Sequence, residues 1–190
     1  MQFFKRNKKY LLFVLFILVI GIVLGMAYYF FIDEDIKLSI INTLNNNISF
    51  NNNFILKNLT IMSILLVLSF FIIGIPLSLF YLLYDSFSVG FLISMFFSIY
   101  KIKGLLYLFI YIILCKIPVL ILMIIFIKKI IYIGKFIIGK IIYKKYYNYN
   151  DRIFMNFKKS LYIILFNLIL NIIIYLISPL IFDNITFLLK

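Results

Sequence analysis

Long apolar stretches separated by short polar or basic segments dominate the pattern along this chain. Five stretches stand out: Tyr10–Ile32, Leu59–Tyr84, Ser86–Tyr100, Leu105–Ile127 and Ser160–Phe182. A membrane-spanning helix needs about 20 mainly apolar residues, because the hydrocarbon layer is about 30 Å thick and each helical residue rises about 1.5 Å. The pattern therefore predicts an all-α polytopic membrane helical bundle, one integral membrane domain over residues 1–190 with about five transmembrane helices.

Breaks inside and between the stretches refine this prediction. Gly74-Ile75-Pro76 predicts a kink in the second span, because proline removes a backbone hydrogen bond and clashes with the preceding turn. Asp85–Ser88 predicts a tight polar break, which leaves a third helix of only about 15 residues, short for a full crossing. The run Lys101-Ile102-Lys103-Gly104 predicts the next break.

Lysine and arginine counts predict the orientation. Four basic residues precede Tyr10 and nine lie in the segment 128–159, whereas five lie in the remaining flanks. Cytoplasmic flanks carry the excess of basic residues, so five crossings place the N-terminus and the segment 128–159 inside the cell membrane, and the polar loop 33–58 and the C-terminus outside. The basic N-terminus resembles a signal peptide, but the long first stretch predicts an uncleaved anchor.

Composition excludes much chemistry. The chain is 66% hydrophobic and 13% charged, whereas soluble domains carry about 45–50% apolar and roughly a quarter charged residues. It has no histidine and a single cysteine, Cys115, so catalytic triads, histidine-ligated metals and cysteine-rich zinc sites are not expected. The contiguous Asp33-Glu34-Asp35 predicts a solvated helix end rather than a glycan-cleaving carboxylate pair. We expect no enzymatic activity and no cofactor or metal.

The basic segment predicts a contact with lipid headgroups. On a helical wheel five lysines share one broad side, opposite a row of isoleucines: Lys128, Lys129, Lys135, Lys140 and Lys144. Such a helix would lie in the cytoplasmic interface before the last span, with its lysines toward anionic lipids. The alternative is a plain basic loop that fixes topology. Binding of nucleic acid is not expected, because the charge follows the membrane flanks.

Small residues at fourfold spacing predict close helix packing. The first span contains Gly21 and Gly25, and the second contains Gly74 with Pro76 and Ser78. A longer series runs along the third helix: Ser86, Gly90, Ser94 and Ser98. Two interpretations stay open, namely packing within the chain and docking of the first helix on a partner protein.

Lys116, two residues before Pro118, lies midway along the fourth span. A central lysine costs about 2.5–3.5 kcal/mol on insertion scales, so such residues are candidates for function. It is predicted either as a tolerated structural residue or as one that acts in assembly or transport.

Two segments resemble the stage II sporulation protein M family. Phe71-Ile72-Ile73-Gly74-Ile75-Pro76 is similar to the Ile-Gly-Leu-Pro-like element of that family, and Tyr84-Asp85-Ser86-Phe87-Ser88-Val89-Gly90-Phe91 is similar to its Lys-Gly-Phe-x-Val-Gly-Phe-like turn. Here Asp85-Ser86 replaces the usual Lys-Gly. Cys115-Lys116-Ile117-Pro118 stands where members carry an Ile-Pro or Glu-Leu-Pro element, without the preceding Pro-His or Pro-Gln.

The resemblance implies a non-enzymatic multi-pass membrane scaffold that works in engulfment during sporulation. It implies partners that cleave peptidoglycan, an amidase and a lytic transglycosylase. The residues themselves leave a second hypothesis open: a transporter or permease subunit with a midplane site near Lys116 and the Gly74–Pro76 kink. A homo-oligomer would offset the small size of such a subunit. A pore or lysis-type protein is a third option.

Overall fold

The computed structural model describes residues 8–39, 53–71, 73–143 and 149–186, and its regular elements there are all helical. The main helices are α1 (Lys8–Phe31), α2 (Asn53–Leu68), α3 (Gly74–Tyr111), α4 (Ile117–Tyr143) and α5 (Tyr149–Thr186). A π-helical turn, Ile112–Lys116, joins α3 to α4, and residues 34–39 form a short helix. The predicted all-α class is confirmed.

The surface of the described chain is apolar and several of its buried residues are polar. Phe31 is 84% exposed and Ile102 73%, whereas Ser69, Ser160 and Asn167 are completely buried. Four helical stretches are long and apolar enough to cross a membrane: Lys9–Phe31, Gly74–Leu106, Leu108–Gly139 and Asp151–Ile177. Lys57–Leu68 is a shorter apolar helix. Lipid covers apolar side chains that water would not, so the chain is a multi-pass membrane protein.

The predicted kink at Gly74–Pro76 is wrong in form: the helix is interrupted there, but the interruption separates two helices. α2 stops at Leu68, where the Phe71 amide donates to the Leu68 carbonyl three residues back at 2.9 Å, and α3 begins at Gly74. Pro76 lies in the first turn of α3, where the missing N–H costs no intrahelical bond. The predicted second span, 59–84, is therefore divided between α2 and α3.

The predicted break at Asp85–Ser88 is also wrong, and α3 runs through it. Ser86 donates its hydroxyl to the Leu82 carbonyl at 3.0 Å, and Ser88 donates to the Tyr84 carbonyl at 3.0 Å. These hydroxyls are satisfied inside the helix, so they do not end it. Asp85 consequently lies within an apolar stretch rather than in a turn, and the third helix is not short.

The predicted break after Tyr100 is confirmed. Lys101 has φ 53° and ψ −132°, which interrupts the helical backbone of α3. An L residue in such a region costs about 1–3 kcal/mol.

Up to Tyr143, the basic stretch after the fourth span does not form a separate interfacial helix but continues α4. α4 runs from Ile117 to Tyr143 without interruption, and its buried face continues through Ile127, Ile130 and Ile133, all completely buried. Of the isoleucines that predicted an interfacial helix, Ile130 belongs to this packed face, and Ile131, Ile137 and Ile138 are half-buried.

The chain divides into two compact units. Unit 1 comprises Met1–Ser49, Tyr81–Tyr111 and Ile185–Lys190, so its described part is mainly α1 and most of α3. Unit 2 comprises Phe50–Phe80 and Ile112–Asn184, with α2, α4 and most of α5.

Three helices of unit 2 have a defined register. The Phe70 and Phe157 rings lie 5.3 Å apart, and Asn167 Nδ2 lies 3.0 Å from Met62 Sδ, so α2 runs antiparallel to α5. Arg152 lies 5.9 Å from the centre of the Phe136 ring, and α5 begins at Tyr149 shortly after α4 ends at Tyr143, so α4 is also antiparallel to α5. α2 therefore packs along the apolar stretch of α5.

Candidate functional site

The two glycines of α1 lie against α3 within unit 1. A side-chain carbon added at Gly21 would lie 2.8 Å from the Leu83 carbonyl oxygen and closer still to Ser86. One added at Gly25 would meet the Phe87 carbonyl oxygen and would lie 2.8 Å from the Phe91 nitrogen. Backbone meets backbone at this contact, so neither glycine is on a free face of α1.

Three members of the small-residue series on α3 form the other side of this contact. A side-chain carbon at Gly90 would meet the Ile22 carbonyl oxygen, Ser86 is 1% exposed, and Ser94 donates to the Met26 carbonyl at 3.5 Å. Ser98, the fourth member, is exposed. The series is used for packing inside the chain from Ser86 to Ser94. The docking of a partner helix at Gly21 and Gly25 would require this contact to open.

An ordered aromatic cluster closes the C-terminal end of α1. The Tyr29 ring lies 5.6 Å from Phe91, and the Tyr28 ring lies 5.5 Å from Phe87. Lys37 Nζ lies 5.5 Å from the centre of the Tyr29 ring, and its backbone amide donates to the Asp33 carbonyl at 3.1 Å. The segment 33–39 is thereby folded back onto the end of α1.

This folded segment displays three carboxylates, which we call the acidic end. Asp33, Glu34 and Asp35 are all exposed. They are half of the six acidic residues in a chain of formal net charge +13. The contact between this segment and α1 is made by Lys37, and the three carboxylates are exposed.

A buried polar layer crosses unit 2. Asn167 and Asn171 on α5 are 0% and 2% exposed, and each has a side-chain oxygen with no hydrogen-bond partner. Their amide nitrogens are used, since Asn167 Nδ2 donates to Met62 Sδ and Asn171 Nδ2 donates to the Asn167 carbonyl at 2.7 Å. Buried acceptors without a donor cost about 1–3 kcal/mol each, so such a pair is a candidate site.

Lys116 and Asn58 lie at the same level of unit 2 as Asn171. Asn58 is 6% exposed and lies one turn before Met62 in α2, and Asn171 lies one turn after Asn167 in α5. Because the two helices are antiparallel and Asn167 contacts Met62, Asn58 and Asn171 lie at the same level. Counting back along α4 from Phe136, and forward along α5 from Arg152, which contacts that ring, brings Lys116 close to the level of Asn171. Lys116 is 9% exposed and ends the π-helical turn. Pi-helical turns occur frequently at functional sites.

Sequence reasoning found Lys116 but missed the asparagines. Asparagine is abundant in this chain, so single asparagines carried little weight. The available signal was their spacing: Asn156, Ser160, Asn167 and Asn171 recur at intervals that place them on one face of α5, and all four are buried.

The other predicted residues lie in separate places. Gly74 begins α3 against the backbone of Leu68 and Ser69, Pro76 is exposed, and Pro118 is half-buried just after the π-helical turn. Lys128 and Lys129 are half-buried and Lys135 is exposed. Lys140 lies in α4, and Lys144 lies outside the described residues. The structure does not bring the Gly74–Pro76 and Lys116–Pro118 elements together through any contact that defines a site.

No metal-binding cluster is present in the described part of the chain. Within residues 8–39, 53–71, 73–143 and 149–186, no three histidine, cysteine or acidic side chains are grouped to hold a metal. The Cys115 thiol is buried.

No protein-family model, curated protein or solved structure matches this chain. The resemblance to the stage II sporulation protein M family stays a prediction from the residues that carry it.

Proposed function

We propose that the protein is a non-enzymatic integral membrane scaffold of the stage II sporulation protein M kind, which anchors or localises peptidoglycan-remodelling enzymes at the cell membrane. The observation that carries this proposal is the acidic end: an ordered segment at the end of α1 with three exposed carboxylates. A chain of net charge +13 attracts few basic partners elsewhere, so this end is where a basic partner would dock.

The proposal includes an orientation with five crossings. The N-terminus is cytoplasmic and the C-terminus lies outside, which exposes the acidic end to the cell wall. The register of α2 along α5 supports the fifth crossing, because Phe70 lies beside Phe157 at the basic end and Met62 lies beside Asn167 deeper in the apolar stretch. If α2 crosses the membrane, the number of crossings places the basic residues of 128–159 on the cytoplasmic side.

Neutralising the acidic end is expected to release the partner. In the triple variant Asp33→Asn, Glu34→Gln, Asp35→Asn, we expect at least about a tenfold loss of peptidoglycan-cleaving enzymes that co-purify with the full chain in mild detergent. Three exposed charge pairs of about 0.5 kcal/mol each amount to that factor. The matched control is Asp151→Asn, an exposed carboxylate at the first turn of α5.

Two outcomes would count against the proposal. Equal recovery from the triple variant and from Asp151→Asn would exclude the acidic end as the docking surface. Absence of any wall-cleaving enzyme from the unmodified protein, after crosslinking in intact membranes, would contradict the scaffold itself.

A second candidate function, a permease subunit, rests on the buried polar layer. Transporters bind their substrates near the midplane, where helices are interrupted. The layer combines an ammonium group with two amide oxygens that lack donors, beside an interrupted stretch of helix. These groups would bind a small solute that donates a hydrogen bond to the amide oxygens and offers an anionic or acceptor group to the lysine.

A further inference from the structure

Two ammonium groups from different helices lie near each other at the basic end of unit 2. Lys129 of α4 lies two turns before Phe136, and Lys159 of α5 lies two turns after Arg152. Because Arg152 contacts the Phe136 ring, the two lysines lie at the same level of the two helices. Lys129 is half-buried and Lys159 is exposed. Like charges at neighbouring positions repel each other, and water around the exposed Lys159 screens part of this repulsion. In the part of the chain that the structure describes, no carboxylate forms an ion pair with either lysine.

Further cations and aromatic rings occupy the same end of the α4–α5 hairpin. Lys128 Nζ lies 5.7 Å from the centre of the Tyr132 ring, and the Arg152 guanidinium lies 5.9 Å from the centre of the Phe136 ring. Lys158 is exposed. Aromatic and basic residues collect where helices leave the hydrocarbon and enter the headgroup layer. This end is therefore at the depth of lipid phosphates.

The surroundings of the lysine pair also fit acyl chains. On α5, directly after Lys159 and Ser160, large apolar side chains face outward, with Leu161 42%, Tyr162 59% and Leu165 57% exposed. On α4, Phe126, Ile127 and Ile130 beside Lys129 are completely buried, so the lysine pair borders a packed apolar core. A molecule held at the pair would meet positive charge at one end and an exposed apolar helix face at the other.

We propose that Lys129 and Lys159 together hold the phosphate of one anionic phospholipid, whose acyl chains run along the exposed face of α5. Basic sites between transmembrane helices bind anionic headgroups in this way. The site is more specific than a basic helix surface, because it requires one residue from each of two helices. It does not depend on the scaffold proposal.

The test compares lipid binding by two double variants of the purified full chain in a neutral detergent. In Lys129→Gln, Lys159→Gln we expect affinity for phosphatidylglycerol, measured by native mass spectrometry, to fall about thirtyfold, the factor that two basic residues near an anionic surface contribute. Lys101→Gln, Lys103→Gln is the control, since both of these lysines are exposed and belong to unit 1. Its affinity, and weak binding of phosphatidylcholine by all three proteins, should be unchanged.

Three results would overturn the proposal. The first is equal loss of phosphatidylglycerol binding in both double variants, which would indicate non-specific attraction. The second is displacement of the lipid by millimolar inorganic phosphate, which would indicate a site for free anions. The third comes from thermal unfolding without lipid, where Lys129→Gln, Lys159→Gln should be at least as stable as the unmodified protein because it removes a repulsion. A lower midpoint would show that the lysines are paired within the protein.

Discussion

Gly25→Leu is expected to lower the free energy of unfolding by about 3 kcal/mol or more, the upper end of the cost of overpacking. At this position α1 and α3 meet backbone to backbone, and an added carbon would meet the Phe87 carbonyl oxygen and the Phe91 nitrogen. Backbone atoms cannot rotate away as a flexible side chain can, so α1 has to separate from α3. Thermal unfolding in detergent measures the loss.

Ser98→Leu is the matched control for this prediction. It also replaces a small residue of the predicted series by leucine, but Ser98 is exposed. A change within about 0.5 kcal/mol is expected at such a surface position. Equal destabilisation by the two substitutions would contradict the α1–α3 contact described for unit 1. A stable Gly25→Leu variant would return Gly21 and Gly25 to the set of free docking residues.

Asn171→Leu is expected to raise the free energy of unfolding by about 1–2 kcal/mol while it abolishes any solute flux through reconstituted vesicles. The substitution removes a buried oxygen without a donor, a larger gain than the loss of the bond from Asn171 to the Asn167 carbonyl. A residue that costs stability yet is required for activity is typical of a functional site.

The control is Asn156→Leu, on the same face of α5. Its amide donates to the Arg152 carbonyl at 2.8 Å, and the described structure has no unpartnered buried oxygen at that residue. We expect Asn156→Leu to be neutral or destabilising. If Asn171→Leu lowers stability instead, its oxygen already has a donor and the polar layer is structural. If the unmodified protein carries no solute, the permease candidate is excluded whatever the change in stability.

The fold class could be predicted because membrane hydrocarbon imposes a simple rule on composition and length. The break at Lys101 could be predicted as well, since charges and a glycine follow a long apolar run. The break predicted at Asp85–Ser88 was wrong, because hydroxyl groups that are satisfied within a helix look like a turn in the sequence. Proline is tolerated in a first helical turn, and nothing in the sequence states that a helix begins at Gly74.

The candidate sites were only partly predictable for a related reason. Lys116 stands out as a charge in an apolar run, but its level relative to Asn171 follows only from the packing of α2 and α4 against α5. Gly21 and Gly25 could be recognised as packing residues. Their partner, the Ser86–Ser94 face of the same chain, depends on which helices meet, and spacing alone leaves that open.

The proposed orientation of this multi-pass membrane protein places the acidic end outside the cell and the Lys129–Lys159 end inside. Single cysteines at Glu34, Phe71 and Lys158, in a Cys115→Ala background, test it with a membrane-impermeant maleimide. We predict labelling at position 34 in intact cells, and labelling at positions 71 and 158 only after permeabilisation. Labelling of 71 or 158 in intact cells, to the extent seen at 34, would contradict the fifth crossing and the account built on it.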